Sequence, residues 1–167
     1  LTGGYLPLAA TLATEEVYEA FLGEYKDFKA FFHGHTYTAN PLACAAAVAT
    51  LEIFRKDRTI EKLQPKLRQM RERLKRFQDL SAVGDIRQVG AMIGIELVRD
   101  KATREDFKPE EKIGARVTLK ARDKGAIIRP LGPVIVLMPP LAMTARELDK
   151  LFDITYESIQ EATDEII

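Results

Sequence analysis

The chain has 167 residues, and its 25 basic and 25 acidic side chains cancel to zero formal charge. That balance argues against a nucleic-acid partner, because neutralising phosphates takes a basic excess or a basic face. A hydrophobic fraction of 46% beside 30% charged residues excludes a disordered chain, and the length suits one ordinary domain or two small lobes.

Residues 1–14, LTGGYLPLAATLAT, are glycine-rich and then apolar, and residues 5–12 read as a buried strand or extended segment. Thr14 is placed to cap a short helix whose first turn carries Glu15 and Glu16, the sign that a helix N-terminus favours, with Val17, Phe21 and Leu22 on its apolar side. Residues 31–40, FFHGHTYTAN, read as a loop. Asn40-Pro41 then opens an alanine-rich helix, a capping side chain followed by proline at the first helical position. Leu42, Ala45, Ala46, Ala49 and Ile53 form its expected packed stripe. Thr59 is the expected cap of the next helix, in which Ile60, Leu63, Leu67, Met70, Leu74 and Phe77 recur every three or four residues opposite a Lys/Arg face.

The pattern changes at Leu80. VGDIRQVG and MIGIELVRD read as two strands joined near Gly90-Ala91, followed by a charged loop over residues 101–108. A helix is expected from Pro109 to about Lys124, ending at Gly125. AIIRP and VIVLMPP read as two more strands around the turn Leu131-Gly132-Pro133. Thr144 and Glu147 make a capping box for a last helix with Leu148, Leu151, Phe152, Thr155, Ile159 and Ile166 on one face. The order from Leu80 is β-β-α-β-β-α, an α+β lobe.

Signals of chemistry are sparse. Cys44 is the single cysteine, so no intrachain disulfide can form, and this points to a reducing compartment such as the cytoplasm. Two histidines and one cysteine are scant material for a metal site. No apolar run approaches the ~20 residues of a membrane span. Two features remain open. In the His33-Gly34-His35-Thr36 stretch, Gly34 allows close backbone approach and Thr36 offers a hydroxyl and an N–H to a phosphate; alternatively, Thr36 only caps a turn. Arg129 ends an apolar strand and must have a partner or reach water; the partner is either a bidentate carboxylate ligand or a structural ion pair with one of the 25 acids.

Four stretches, LTGGYLPLAATLAT, FFHGHTYTANPLACAAA, VGDIRQVGAMIGIELV and GAIIRPLGPVIVLMPPLAMT, together resemble the C-terminal part of a class III aminotransferase, a pyridoxal-phosphate enzyme of fold type I. The pair IIRPLG and VIVLMPP narrows the resemblance towards the family's biotin-pathway branch. The implied fold is α/β: residues 1–79 as the end of the cofactor-binding large domain with connecting helices, and residues 80–167 as an α+β C-terminal small domain. The resemblance implies pyridoxal 5'-phosphate as cofactor, small keto and amino substrates with S-adenosylmethionine the usual donor, and a homodimer with shared active sites. It implies no nucleic acid and no membrane partner. His35 and Thr36 match the pair that binds the cofactor phosphate across the dimer interface. Gly34 matches a glycine whose backbone touches the substrate carboxylate, and Arg129 the arginine that clamps the keto substrate's carboxylate. No catalytic residue is expected in this chain, because the family's Schiff-base lysine falls just before the Leu-Thr-Gly-Gly motif. The start at Leu1 rather than Met agrees with part of a longer polypeptide.

Overall fold

A computed structural model describes residues 1–166. The chain divides into two compact units, Leu1–Thr59 and Ile60–Ile167.

The first unit carries two α-helices, α1 (Glu15–Glu19) and α2 (Pro41–Lys56), and a 3-10 turn at Tyr25–Asp27. Both helix starts follow from their caps. Thr14 accepts from the Val17 N–H at 3.4 Å, and Asn40 Oδ1 accepts from the N–H groups of Leu42 and Ala43 at 3.0 and 3.3 Å. Residues 5–12 form no strand. Tyr5 and Leu12 are 88% and 95% exposed, and no described strand runs beside them to take their backbone groups. The expected packed stripe of α2 is also displaced. Leu42 and Ile53 are 71% and 56% exposed, while Ala43 and Ala47 are buried. Ala43, Ala47 and Thr50 share a helical face, and there the Leu1–Leu6 turn sits, with the Cβ position of Gly3 4.0 Å from Thr50 Oγ1. The turn is closed by Thr2, a buried residue whose hydroxyl donates to the Leu6 carbonyl at 2.5 Å and accepts from the Leu6 N–H at 3.3 Å. Gly3 and Gly4 take positive φ of 65° and 85° within it.

The second unit is a four-stranded antiparallel sheet covered on one face by helices. Strands β1 (Val83–Val89), β2 (Met92–Leu97), β3 (Arg129–Leu131) and β4 (Val134–Leu137) lie in the order β1-β2-β4-β3. Helices α3 (Thr59–Lys75), α4 (Ile113–Asp123) and α5 (Ala145–Asp164) complete it. Thr59 is the first residue of α3 rather than its cap. Ile93, Ile95, Leu97, Ile135 and Leu137 point from the sheet into the core, where they join Met70, Leu74 and Phe77 from the α3 side, Val117 from α4, and Leu148, Phe152 and Ile159 from α5. Phe77 meets Phe152 and Tyr156 edge-on, at centroid distances of 6.1 and 5.3 Å. Arg73 and Arg76 both reach Asp153, so the two helices are also joined at their polar margin. Residues 59–77 were expected among the connecting helices before Leu80; Met70, Leu74 and Phe77 of their stripe lie in the core of the sheet, and the second unit begins at Ile60.

One helix differs from expectation. Pro109–Glu111 is a separate 3-10 turn, and the chain reverses at Lys112, where φ is 49°, before α4 begins at Ile113. Glu111 closes that turn by accepting the Lys108 N–H at 2.7 Å and by pairing with Arg99. The helix ends ahead of Gly125 as anticipated.

Candidate functional site

The loop over residues 31–40 is fully exposed up to Asn40 and is organised by two devices. The first is Thr38. Its hydroxyl accepts the His35 N–H at 3.1 Å, and its own N–H donates to the His35 carbonyl at 2.9 Å. The second is a run of rings. Phe21 lies 5.3 Å from Phe31, Phe31 5.4 Å from His33, and His33 4.9 Å from His35 in an edge-on contact. The turn then passes through Ala39, a non-glycine residue at φ 57°, and ends on the Asn40 cap.

These contacts separate the two readings of Thr36. The turn-capping role belongs to Thr38, two residues on. Among the described residues neither the Thr36 hydroxyl nor its N–H has a protein partner. The His35 amide, by contrast, is already spent on Thr38. Gly34 has open space around its Cβ position, so nothing in the unit requires a glycine there. A free hydroxyl and N–H beside an unobstructed backbone can take a phosphate.

Arg129 stands in the second unit, at the start of the edge strand β3. Its register gives a useful comparison. Arg87 pairs with Gly94, Gly94 with Val136, and Val136 with Arg129, so the four stand in one row on the sheet face turned away from the helices. Arg87 is consumed by Asp85 and Glu96, each at 2.5 Å. Arg129 is exposed, and among the described residues no acid pairs with it. The ion-pair alternative therefore finds no partner. The guanidinium reaches water, and its fork of donors is open to a carboxylate in two-point fashion.

The structure places Gly34, His35 and Thr36 on one loop of the first unit and Arg129 on the sheet of the second. Sequence reasoning passed over Thr38, although a threonine three residues after His35 is the spacing of such a turn. It also passed over the ring series, which no local pattern announces. Among the described residues no group of three or more His, Cys, Asp or Glu could hold a metal ion, and no helix is long and apolar enough to cross a membrane.

Comparison with known proteins adds to this geometry. The family model described as Aminotransferase class-III matches residues 1–159. The chain is 59% identical over 151 residues to the adenosylmethionine-8-amino-7-oxononanoate aminotransferase of Nitratidesulfovibrio vulgaris, covering 90% of this chain and 28% of that one. It superposes on the crystal structure of the enzyme of that name from Methanocaldococcus jannaschii with a TM-score of 0.92 at 52% identity, over 96% of this chain and 36% of the other. A PMP-bound aminotransferase from Vibrio fluvialis gives a TM-score of 0.79 at 28% identity, over 85% of this chain and 31% of that one. The chain thus spans about a third of the length of the relatives it matches.

Proposed function

The chain belongs to the class III aminotransferases, and we propose that the protein it forms part of transfers an amino group to 8-amino-7-oxononanoate, giving 7,8-diaminononanoate in biotin biosynthesis. The reading rests on one observation above the others. The arginine that would hold the carboxylate of this keto acid, Arg129, is left without an acid while Arg87 on the same sheet face has two. Relatives at 59% and 55% identity carry the name of that enzyme. The same name supports S-adenosylmethionine as the amino donor. The reaction belongs in the cytoplasm, in a homodimer whose two active sites are shared.

Pyridoxal 5'-phosphate is the cofactor of this reading, and the donor set on the loop suits its phosphate. When bound, it supplies the electron sink that stabilises negative charge on the carbon beside the transferred nitrogen. The chain's own residues bind and orient. Thr36 donates its hydroxyl and N–H to the phosphate, in the neighbouring subunit of the dimer; its hydrogen bond to a charged group is worth about 1.5–3 kcal/mol. His35 stands beside it, with Thr38 holding its backbone in place. Gly34 lets the substrate carboxylate approach the backbone. Arg129 holds the far end of the keto acid, so that the reacting carbonyl arrives already positioned.

The test is made on the full-length protein loaded with pyridoxal phosphate. Incubation with 8-amino-7-oxononanoate and S-adenosylmethionine should yield 7,8-diaminononanoate by mass spectrometry, and Arg129→Ala should raise KM for the keto acid far more than it weakens the cofactor. Amination of ornithine or 4-aminobutyrate partners in place of the oxononanoate would move the protein to another branch of the family. Equal loss of keto-acid and cofactor binding in Arg129→Ala would remove Arg129 from its role.

A further inference from the structure

The strand that carries Arg129 is seated against α4 at a point where no side chain fits. A Cβ placed on Gly114 would lie 2.1 Å from the Gly132 carbonyl oxygen and 2.9 Å from Pro130 Cβ. Gly114 is the second residue of α4 and is buried. Its helical backbone suits any residue, and alanine would favour the helix by roughly 1 kcal/mol. The glycine is therefore explained by close approach alone. The obstruction is a backbone oxygen, so no rotamer change relieves it; either the helix or the hairpin must move.

The hairpin is the softer of the two. α4 is tied to α5 by Lys120–Glu165 at 2.6 Å and Lys124–Glu161 at 2.8 Å. β4 is paired on both sides. β3 has three residues and pairs on one side only, Arg129 with Val136, Pro130 with Ile135 and Leu131 with Val134. Pro130 also confines the residue before it to extended backbone, so the Pro130 ring fixes Arg129 locally while its own place is fixed by α4.

We propose that Gly114 is a positioning residue for Arg129: it admits the backbone of α4 against Gly132 and Pro130, and that contact sets where the edge strand presents its guanidinium. The inference rests on the carboxylate role proposed above for Arg129. It makes the α4 N-terminus, which carries none of the substrate-binding residues proposed above, a determinant of keto-acid recognition.

A mutant cycle in the full-length holoenzyme tests it. Gly114→Ala should raise KM for 8-amino-7-oxononanoate by roughly 10–100-fold, the scale of an ångström-sized misplacement. The half-reaction with the amino donor, followed by cofactor absorbance, and cofactor affinity should be unchanged. In an Arg129→Ala background the same substitution should add nothing to KM, because its route to the substrate is gone. Additive effects, or equal damage to the donor half-reaction, would show a general packing role and overturn the inference. An unchanged KM in Arg129→Ala alone would instead remove the carboxylate role, and the inference with it. Should Gly114→Ala not fold, Pro130→Ala serves in the same cycle. It frees the Arg129 backbone while keeping the Cβ, and a smaller KM rise that vanishes beside Arg129→Ala is expected; a rise that persists there overturns the proposal.

Discussion

At Thr38 the difference between a threonine held by the chain and one left open is visible in hydrogen bonds. Thr36, Thr38 and Thr2 are chemically alike, yet Thr2 and Thr38 spend their hydroxyls on their own backbone and Thr36 does not. Thr38→Val keeps the shape and removes the acceptor for the His35 N–H. An exposed hydrogen bond of this kind contributes about 0.5–1.5 kcal/mol. The expected outcome is faster hydrogen exchange at the His35 amide and a roughly two- to tenfold weaker pyridoxal phosphate Kd in the full-length protein, with Thr38→Ser close to wild type. Unchanged exchange at His35 would mean that the loop is held by its rings. Residue identity alone could not separate the threonines, since all three sit in turn-forming sequence. Arg129 was legible as a cation at the end of an apolar strand, whereas the contrast with Arg87, which has two acids beside it, needed the strand register.

Among the elements, those with local signatures were the most legible. The period of α3, the β1–β2 hairpin at Gly90 and the capping box of α5 follow from residues within one turn or one strand pair of each other. The extended segment at residues 5–12 and the buried face of α2 were not, because burial there depends on what lies alongside, and a stripe of small residues looks the same on every side of an alanine-rich helix. Gly114 carried a weak signal, a glycine inside a helical pattern, whose reason sits eighteen residues away on a hairpin. The α5 cap also gives a pH dependence. Glu147 Oε2 accepts the Thr144 N–H at 2.7 Å and the Thr144 hydroxyl at 2.8 Å, and the first of these bonds chiefly holds its carboxyl below the usual range. A lowered folded-state pKa adds stability above the unfolded carboxylate pKa and loses it as pH falls through the folded value. Glu147→Ala should therefore lower Tm at neutral pH, with the deficit shrinking as pH falls below the usual carboxylate range. A deficit independent of pH would assign the effect to helix packing.

At the scale of the molecule, the division between units falls at Thr59 and Ile60, not near Leu80, where the composition changes. The α+β order of the second unit was readable because alternation and helical period switch at recognisable turns. Its true start was not, because the stripe of α3 is equally compatible with packing against anything apolar. Met70, Leu74 and Phe77 are buried in the sheet's own core, and losing a single phenylalanine from such a site costs about 3–5 kcal/mol, a large share of the roughly 5–15 kcal/mol that holds a domain folded. A polypeptide of residues 60–167 should therefore melt cooperatively by circular dichroism, whereas residues 80–167 should bind hydrophobic dye and show no sharp transition. Cooperative melting of the shorter piece would mean that α3 is an ornament to the sheet.

That placement of α3 decides where the lobe can be transplanted. Any chimera that exchanges this lobe between class III aminotransferases needs its crossover ahead of Thr59; a junction drawn at the first strand would join one parent's helix to the other's sheet and mismatch the two halves of a single interior.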